Sequence, residues 1–509
     1  MLYLAVGAFL CIATALLCKH AAAQTTTQPL EITVTDEGST HLVPCRIHLK
    51  NTDGEPQRAE NLPFWLDHFT CPGRVTLNLP SGEYTYEIER GPEFEMVSGR
   101  VSVDESGASL RVQLRRLINM AKEGWWSGDL HVHRPLEDLP LLMAAEEVNV
   151  APVITWWNKR NLWEGKARPE QPVQELSANQ YVHLMAGEDE REGGAFLFFG
   201  LSEPLPISDA TKEYPSPLAF MEQALKHPEA WIELEKPFWW DVPAVLAQIP
   251  VRSIGLANNH MCRRQMYESE AWGKPRDTDR LPSPRGNGYW SQEIYYHILN
   301  CGFRIPPSAG SASGVLPNPL GYDRVYVHLG KKLDYDDWWK GLRAGRVFVT
   351  NGPLLRTRAS GKWPGHVFRR KHGAKLDLDI ECAITTRDPI RNLEIIRDGR
   401  IERTVPYDEC VRTGSLGKIT FTESGWFLVR AIAENEKTFR FASTGPYCVE
   451  IGERKKRISR SSAQFFLDWV QERKARIKLD DPAQQAEVLA YHDRAEAFWQ
   501  RLVADANAE

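Results

Sequence analysis

The sequence predicts an α/β protein in which a central parallel β/α body closes as a distorted barrel between two β-sandwiches and ends in a helical hairpin. Three observations predict it. Short apolar runs alternate with helix-like stretches over residues 119–350. Period-two alternation punctuated by turn residues flanks that region on both sides, and the last fifty residues return to a helical period. At 509 residues the chain is too long for one compact core. Its composition, 42% hydrophobic and 25% charged with a formal net charge of −5, is that of an ordinary globular protein and gives no reason to expect nucleic acid as a partner.

The start, "MLYLAVGAFLCIATALLCKHAAAQ", has an apolar centre that ends in small residues, with Ala21-Ala22-Ala23 before Gln24. This predicts a secretory signal peptide over 1–23, and hence an exported, periplasmic or extracellular protein. No later stretch is long and apolar enough to span a bilayer. Seven cysteines follow the signal: Cys45, Cys71, Cys262, Cys301, Cys382, Cys410 and Cys448. None forms a C-x-x-C pair, which argues against a zinc–thiolate site. Cys45 with Cys71, and two of the last three, could bridge in an oxidising compartment, and an odd number cannot all pair.

Residues 28–118 alternate in short runs such as "LEITV", "CRIHL" and "RVTLNL", separated by "NTDGEP" and "LPSGEY", which predicts a small antiparallel sandwich. The stretch "NLPSGEYTYEI" resembles the strand-turn of transthyretin-like or carboxypeptidase-regulatory-like modules. In 119–350 the candidate strands include "SGDLHVH", "VAPVITWW", "YVHLMAGE", "WIELEK", "SIGLANN" and "RVYVHL", with helix-like "EDLPLLMAAEEV", "SPLAFMEQALK" and "WSQEIYYHILNCG" between several of them. Alternation returns over 351–455, as a second sandwich. Over 461–509 a helical hairpin is expected to pack on the body through Phe465, Leu467, Trp469, Leu489 and Trp499.

Chemistry concentrates where apolar runs end. In "GDLHVH", His131 and His133 project from one face of an extended segment while Val132 points the other way. Two imidazoles at that spacing suit zinc or another transition metal. "WSGDLHVH" resembles the opening metal motif of the polymerase and histidinol phosphatase (PHP) superfamily, in particular its carbaryl-hydrolase-like (CehA/McbA) branch. The resemblance extends over about 119–355 through "VITWWN", "LMAGEDE", "WIELEKPFWW", "SAGSAS" and "WWKGLRAGRVFVTNGPLL". It implies a (β/α)7-type, TIM-like barrel and a metallohydrolase of phosphoesters, amides or esters. It also implies His131, His133 and Glu188 as ligands. At other positions where the branch carries ligands, this chain has Trp157, Ala195, Lys236 and, in place of S-D-x-H, Ser311, Ala312 and Ser313.

Two expectations follow. In the first, His131, His133 and Glu188 hold a single divalent ion (Zn, Mn or Fe), with His260, Lys236 and Asp189 as catalytic candidates and Asp129 or Glu190 as outer partners. Trp126, Trp157, Asn158, Trp240, Asn259, Arg263, Ser311 and Ser313 would then bind substrate, the aromatic rings suiting a sugar or another flat ligand. In the second, the Lys236 ammonium replaces the ion and neutralises Glu188, no metal is bound, and the chain is a ligand- or glycan-binding protein. A third class, an envelope-associated structural protein interacting through the sandwiches and tail, is also consistent with the sequence.

Overall fold

The computed structural model describes residues 26–330, 332–453 and 455–509; the expected signal peptide lies outside the described residues. Thr27–Asp36 pairs with Arg74–Pro80 on one side and Ala108–Leu114 on the other. A five-stranded sheet faces it, in the order Phe64–Trp65, His68–Cys71, Cys45–Lys50, Gly82–Glu89, Val97–Val103. Alternation in Thr27–Asp36 turns Leu30, Ile32 and Val34 inward, where they meet Ile47, Leu49, Phe69 and Ile88. Asp67 holds two buried imidazoles there, with His48 Nδ1 at 3.3 Å and His68 Nδ1 at 3.0 Å from its carboxylate. His48 Nε2 lies 3.2 Å from Arg46, and Arg264 approaches Asp67 at 3.2 Å. Arg46 needs that imidazole nitrogen as an acceptor, so Nδ1 carries the proton, and the cluster is a satisfied network rather than a set of ligands.

The central region is a closed, mixed sheet, and this corrects the expected (β/α)7 barrel. Val150–Trp157 runs parallel to Gln180–Arg191, but the next two strands, Gly194–Phe199 and Trp231–Leu234, are antiparallel to their predecessors. Ser253–Ala257 and Pro307–Ala309 resume parallel pairing, whereas Arg324–His328 is antiparallel to both Trp125–Gly128 and Val347–Thr350. A parallel connection needs a crossover of about a dozen residues or more, usually helical. Only Glu192 and Gly193 separate Gln180–Arg191 from Gly194–Phe199, and no helix lies between Pro307–Ala309 and Arg324–His328. The described residues form eight α-helices in all, too few for a repeating strand–helix unit.

Phe441–Thr444 extends the same sheet by pairing with Val347–Thr350, so strands from beyond residue 390 are hydrogen-bonded to the central ring. Leu354–Ala359, Leu376–Thr385 and Ser415–Phe421 form a separate three-stranded sheet over a core that includes Leu378, Ile395, Phe421 and Phe427. Helices Arg460–Arg476 and Pro482–Ala504 lie against each other and against Val242–Gln248. Leu467, Trp469 and Trp499 are buried in that contact; Phe465 and Leu489 are half-buried, and their neighbours Phe466 and Val488 are inside. No helix among the described residues is long and apolar enough to cross a membrane.

Glu93 joins the N-terminal sheets to the central one. It accepts bonds from the Met120 amide at 2.8 Å and the Tyr326 hydroxyl at 3.1 Å. Burial, reinforced by Glu147, pushes its carboxyl up to about 7. A raised folded value means that the native chain holds this proton more tightly than the unfolded one. Stability is therefore expected to fall as pH rises from the ordinary carboxylate range through 7. Glu93→Gln, whose amide can serve both partners, removes that loss. Its melting temperature is expected to exceed wild type at pH 8 but not at pH 4, by an amount reflecting up to roughly 3 kcal/mol; equal shifts at both pH values would refute this.

Candidate metal and ligand site

Leu130–His133 is extended and held on both sides. Leu130 N–H donates to Ala309 at 3.0 Å and His133 N–H to Ser313 at 2.8 Å, while Val132 accepts from Ile154 at 2.8 Å. Val132 is fully buried, so both histidines face inward. Asp129 fixes the approach: its carboxylate accepts from the backbone N–H groups of His131, Ser311 and Gly321 and from the Ser311 hydroxyl. At Gly310 a Cβ would collide with the His131 side chain, which explains why "SAGS" needs glycine there.

Along Gln180–Arg191, alternation sends Glu188 and Glu190 to the same side as the histidines and Asp189 to the other. Three atoms converge. His131 Nε2 and His133 Nε2 are 3.0 Å apart, and Glu188 Oε2 lies 3.4 and 3.2 Å from them. Donor atoms about 2.0–2.1 Å from a tetrahedral ion would be about 3.3 Å from one another, so this donor set fits a divalent cation. His131 Nδ1 is 3.3 Å from Glu235 Oε1, the outer carboxylate that orients a ligating imidazole. Glu235 in turn accepts from Lys236 Nζ at 2.6 and 2.5 Å and from Trp239 Nε1 at 3.0 Å.

The site is electrostatically tense. Burial opposes charge on His131, but Glu188 and Glu235 outweigh it and hold the imidazole up at about 10. Against the same burial, His131 and His133 keep Glu188 well below the carboxylate range, and Lys236 and His131 hold Glu235 at about 2. Burial and the Glu188 charge push Glu190 up to about 7. Burial and Lys236 push His260 down to about 3, so it is a neutral imidazole.

These groups floor a cavity of about 190 Å³ whose walls include Trp157, Trp239, Trp272, Tyr267, Asn259 and His260. The Trp157 ring lies 4.7 Å from His133, and its Nε1 donates to Glu190 at 3.0 Å. Thus His131, His133, Glu188, Lys236, His260, Trp157 and Asn259 are brought together. Asn158 sits just behind them, in a left-handed conformation (φ 49°), accepting from the Glu190 amide.

Other expected site residues are elsewhere. Asp189 is ion-paired to Arg191 on the far face of its strand. Trp126 packs in the core, its carbonyl accepting from Trp338. Trp240 faces Trp469 and Arg476 at the helical tail. Arg263 is engaged by Glu87 and Glu89 of the N-terminal sheet. Ser311 and Ser313 act through Asp129 and through the backbone of His133 rather than lining the cavity. Lys236 does not take the place expected of an ion, because its ammonium lies on Glu235. Glu235, Trp239, Tyr267 and Trp272 are additional. Of these, Glu235 had a signal, the same-face spacing of "ELE" in "WIELEK"; the two residues of the later loop had none.

No family model and no curated protein matches the chain. Among solved structures, the Bacillus anthracis TIE protein is similar over 22% of this chain and 20% of its own, at 20% identity and a TM-score of 0.15. A pilus-presented adhesin, Spy0125 (Cpa), is similar over 18% of this chain and 26% of its own, at 22% identity and a TM-score of 0.12. Trypsin-activated alpha-2-macroglobulin from Escherichia coli aligns over 85% of this chain and 24% of its own, at 8% identity and a TM-score of 0.14. The chain thus spans about a fifth of the length of the first of these.

Proposed function

We propose that this protein is a metal-dependent hydrolase of a small ester, amide or phosphoester, acting outside the cytoplasm with one divalent ion held by His131, His133 and Glu188. The convergence of three donor atoms within 3.0–3.4 Å at the floor of an aromatic-walled cavity carries this reading. The PHP-like motifs "GDLHVH" and "GEDE" support it. An ion held there would supply positive charge to polarise a scissile bond and acidify water. Glu235 orients His131, and Lys236 with Trp239 orients Glu235. Glu190, poised near neutrality on the cavity wall, is the group placed to accept and return a proton.

A binding protein with Lys236 in place of an ion is less well supported, since Lys236 compensates Glu235 and leaves Glu188 to the imidazoles. Export rests on the N-terminal sequence alone, since the seven described cysteines are buried free thiols even where Cys45 stands directly opposite Cys71. The test is the ion content of full-length protein after separate loading with Zn, Mn and Fe. We expect about one equivalent for at least one of them, and p-nitrophenyl acetate turnover that a chelator abolishes. No bound ion under any loading would overturn the proposal.

A further inference from the structure

We infer that Cys45 and Cys71 are a disulfide-forming site: a small-molecule disulfide oxidises the pair while the chain folds, and the bond fastens the edge of the N-terminal sheet that holds the cavity wall. This goes beyond the hydrolase reading and does not depend on it. Both residues are free thiols in the structure, and they stand directly opposite each other where Cys45–Lys50 pairs antiparallel with His68–Cys71. Opposite residues in such a pair have Cα atoms about 4.5 or 5.5 Å apart, inside the roughly 4.4–6.8 Å that a disulfide spans. Their side chains leave the same face of the sheet, and both are fully buried in the core that also holds Ile47 and Phe69. Contact with Cys71, and then burial, raises the Cys45 thiol well above its ordinary range, and the same contact lowers Cys71. The two sulfurs therefore meet.

Cysteines elsewhere are placed differently: Cys448 faces Trp426 on one side and Val367 on the other, and the Cys262 thiol donates to the Asn259 carbonyl at 3.1 Å. The chemistry is thiol–disulfide exchange in two steps. One cysteine sulfur attacks the small disulfide, forming a mixed disulfide and releasing one thiol. The other cysteine then attacks the mixed bond, forming Cys45–Cys71 and releasing the second thiol. The two cysteine protons end on the released thiols, and the two electrons lost by the pair reduce the small disulfide. Neither residue is exposed once the sheets have closed, so exchange precedes closure, and burial afterwards shields the bond from reductants. The ladder that the bond secures is short. His68–Cys71 is paired with Cys45–Lys50 over three rungs, and Phe64–Trp65 with His68–Cys71 over two. Yet Trp65 Nε1 donates to the Leu316 carbonyl at 2.7 Å, and Leu316 walls the cavity above His131 and His133.

The test is cell-free synthesis of the full chain, once with glutathione disulfide and once with dithiothreitol. Free thiols of the soluble protein are alkylated in denaturant, and its peptides are read by mass spectrometry. The oxidised sample is expected to yield a linked peptide joining Cys45 to Cys71, lighter by two hydrogens than the sum of its parts, with Cys262 and Cys448 alkylated. Its melting temperature is expected to lie several degrees above that of the reduced sample, because the bond restrains the unfolded chain. Cys71→Ser is expected to lose the link and to match the reduced sample. Complete alkylation of Cys45 and Cys71 after oxidising synthesis, a link from either to another cysteine, a link with no rise in melting temperature, or soluble protein from the reducing synthesis alone would overturn the inference. None of these readouts uses a bound ion or turnover, so the hydrolase stands or falls separately.

Discussion

Replacing His131 and His133 together with glutamine is expected to reduce bound ion from one equivalent per chain to none and to abolish chelator-sensitive turnover. Glutamine is the informative choice. Alanine would leave Glu188, a carboxylate buried to 2% exposure, with no donor at all, and an unpaired buried charge costs several kcal/mol. Loss of ion could then not be told from loss of fold. The glutamine amides keep donors near Glu188 but are poor ligands. Thermal shift separates the cases further: an ion present at a hundred times its Kd stabilises the wild type by about 2.7 kcal/mol. That increment is expected to vanish in the variant, while apo melting changes less. Glu235→Gln grades the effect. It touches His131 only through Nδ1, so ion affinity is expected to drop by about 10- to 100-fold rather than to disappear. Retention of one equivalent by the double variant would move the ion away from this floor.

What could be read from the sequence divides along a physical line. Side-chain direction in an extended segment has a period of two, so the spacing within "HVH" and "GEDE" is enough to put His131, His133 and Glu188 on one side. The same rule applied to Asp189 sends it outward to Arg191, and it would have promoted Glu235. Tryptophan pairs are harder, because alternation says that the two rings diverge but not which one faces the cavity. Trp157 and Trp239 do, whereas Trp156 and Trp240 pack in the core. Strand direction is not a local property at all. The apolar runs around "GEDEREGGAFLFF" look alike whether their neighbours run parallel or antiparallel, and only a connection too short for a crossover betrays the hairpin. Arg263 shows the remaining limit: its partners, Glu87 and Glu89, lie more than 170 residues away in sequence.

Arg473→Met is expected to cost about 3–5 kcal/mol and to loosen both C-terminal helices from the body. Arg473 is 2% exposed and is held by three bonds, Nε to Asp241 at 2.7 Å and its terminal nitrogens to Glu213 at 2.9 and 2.5 Å. His492 adds a contact to the same Asp241 oxygen at 3.2 Å. Removing the guanidinium leaves Asp241 buried with an imidazole as its main compensation. The pair holds the Asp241 carboxyl far below its usual range even against burial. Its contribution is therefore complete across neutral pH and is lost progressively as pH falls from the ordinary carboxylate range towards that depressed value. The exposed pair Lys274–Glu472 provides the contrast: its 2.5 Å contact is as short, but Glu472 is 45% exposed, and Glu472→Ala should cost no more than about 1 kcal/mol. Urea unfolding read by tryptophan fluorescence reports directly, because Trp469 and Trp499 are fully buried at this junction. If the charge is what matters, Asp241→Leu/Arg473→Met should recover part of the loss, since only the half-buried Glu213 is then left without its arginine. A double variant as unstable as Arg473→Met would instead assign the loss to packing of the arginine stem.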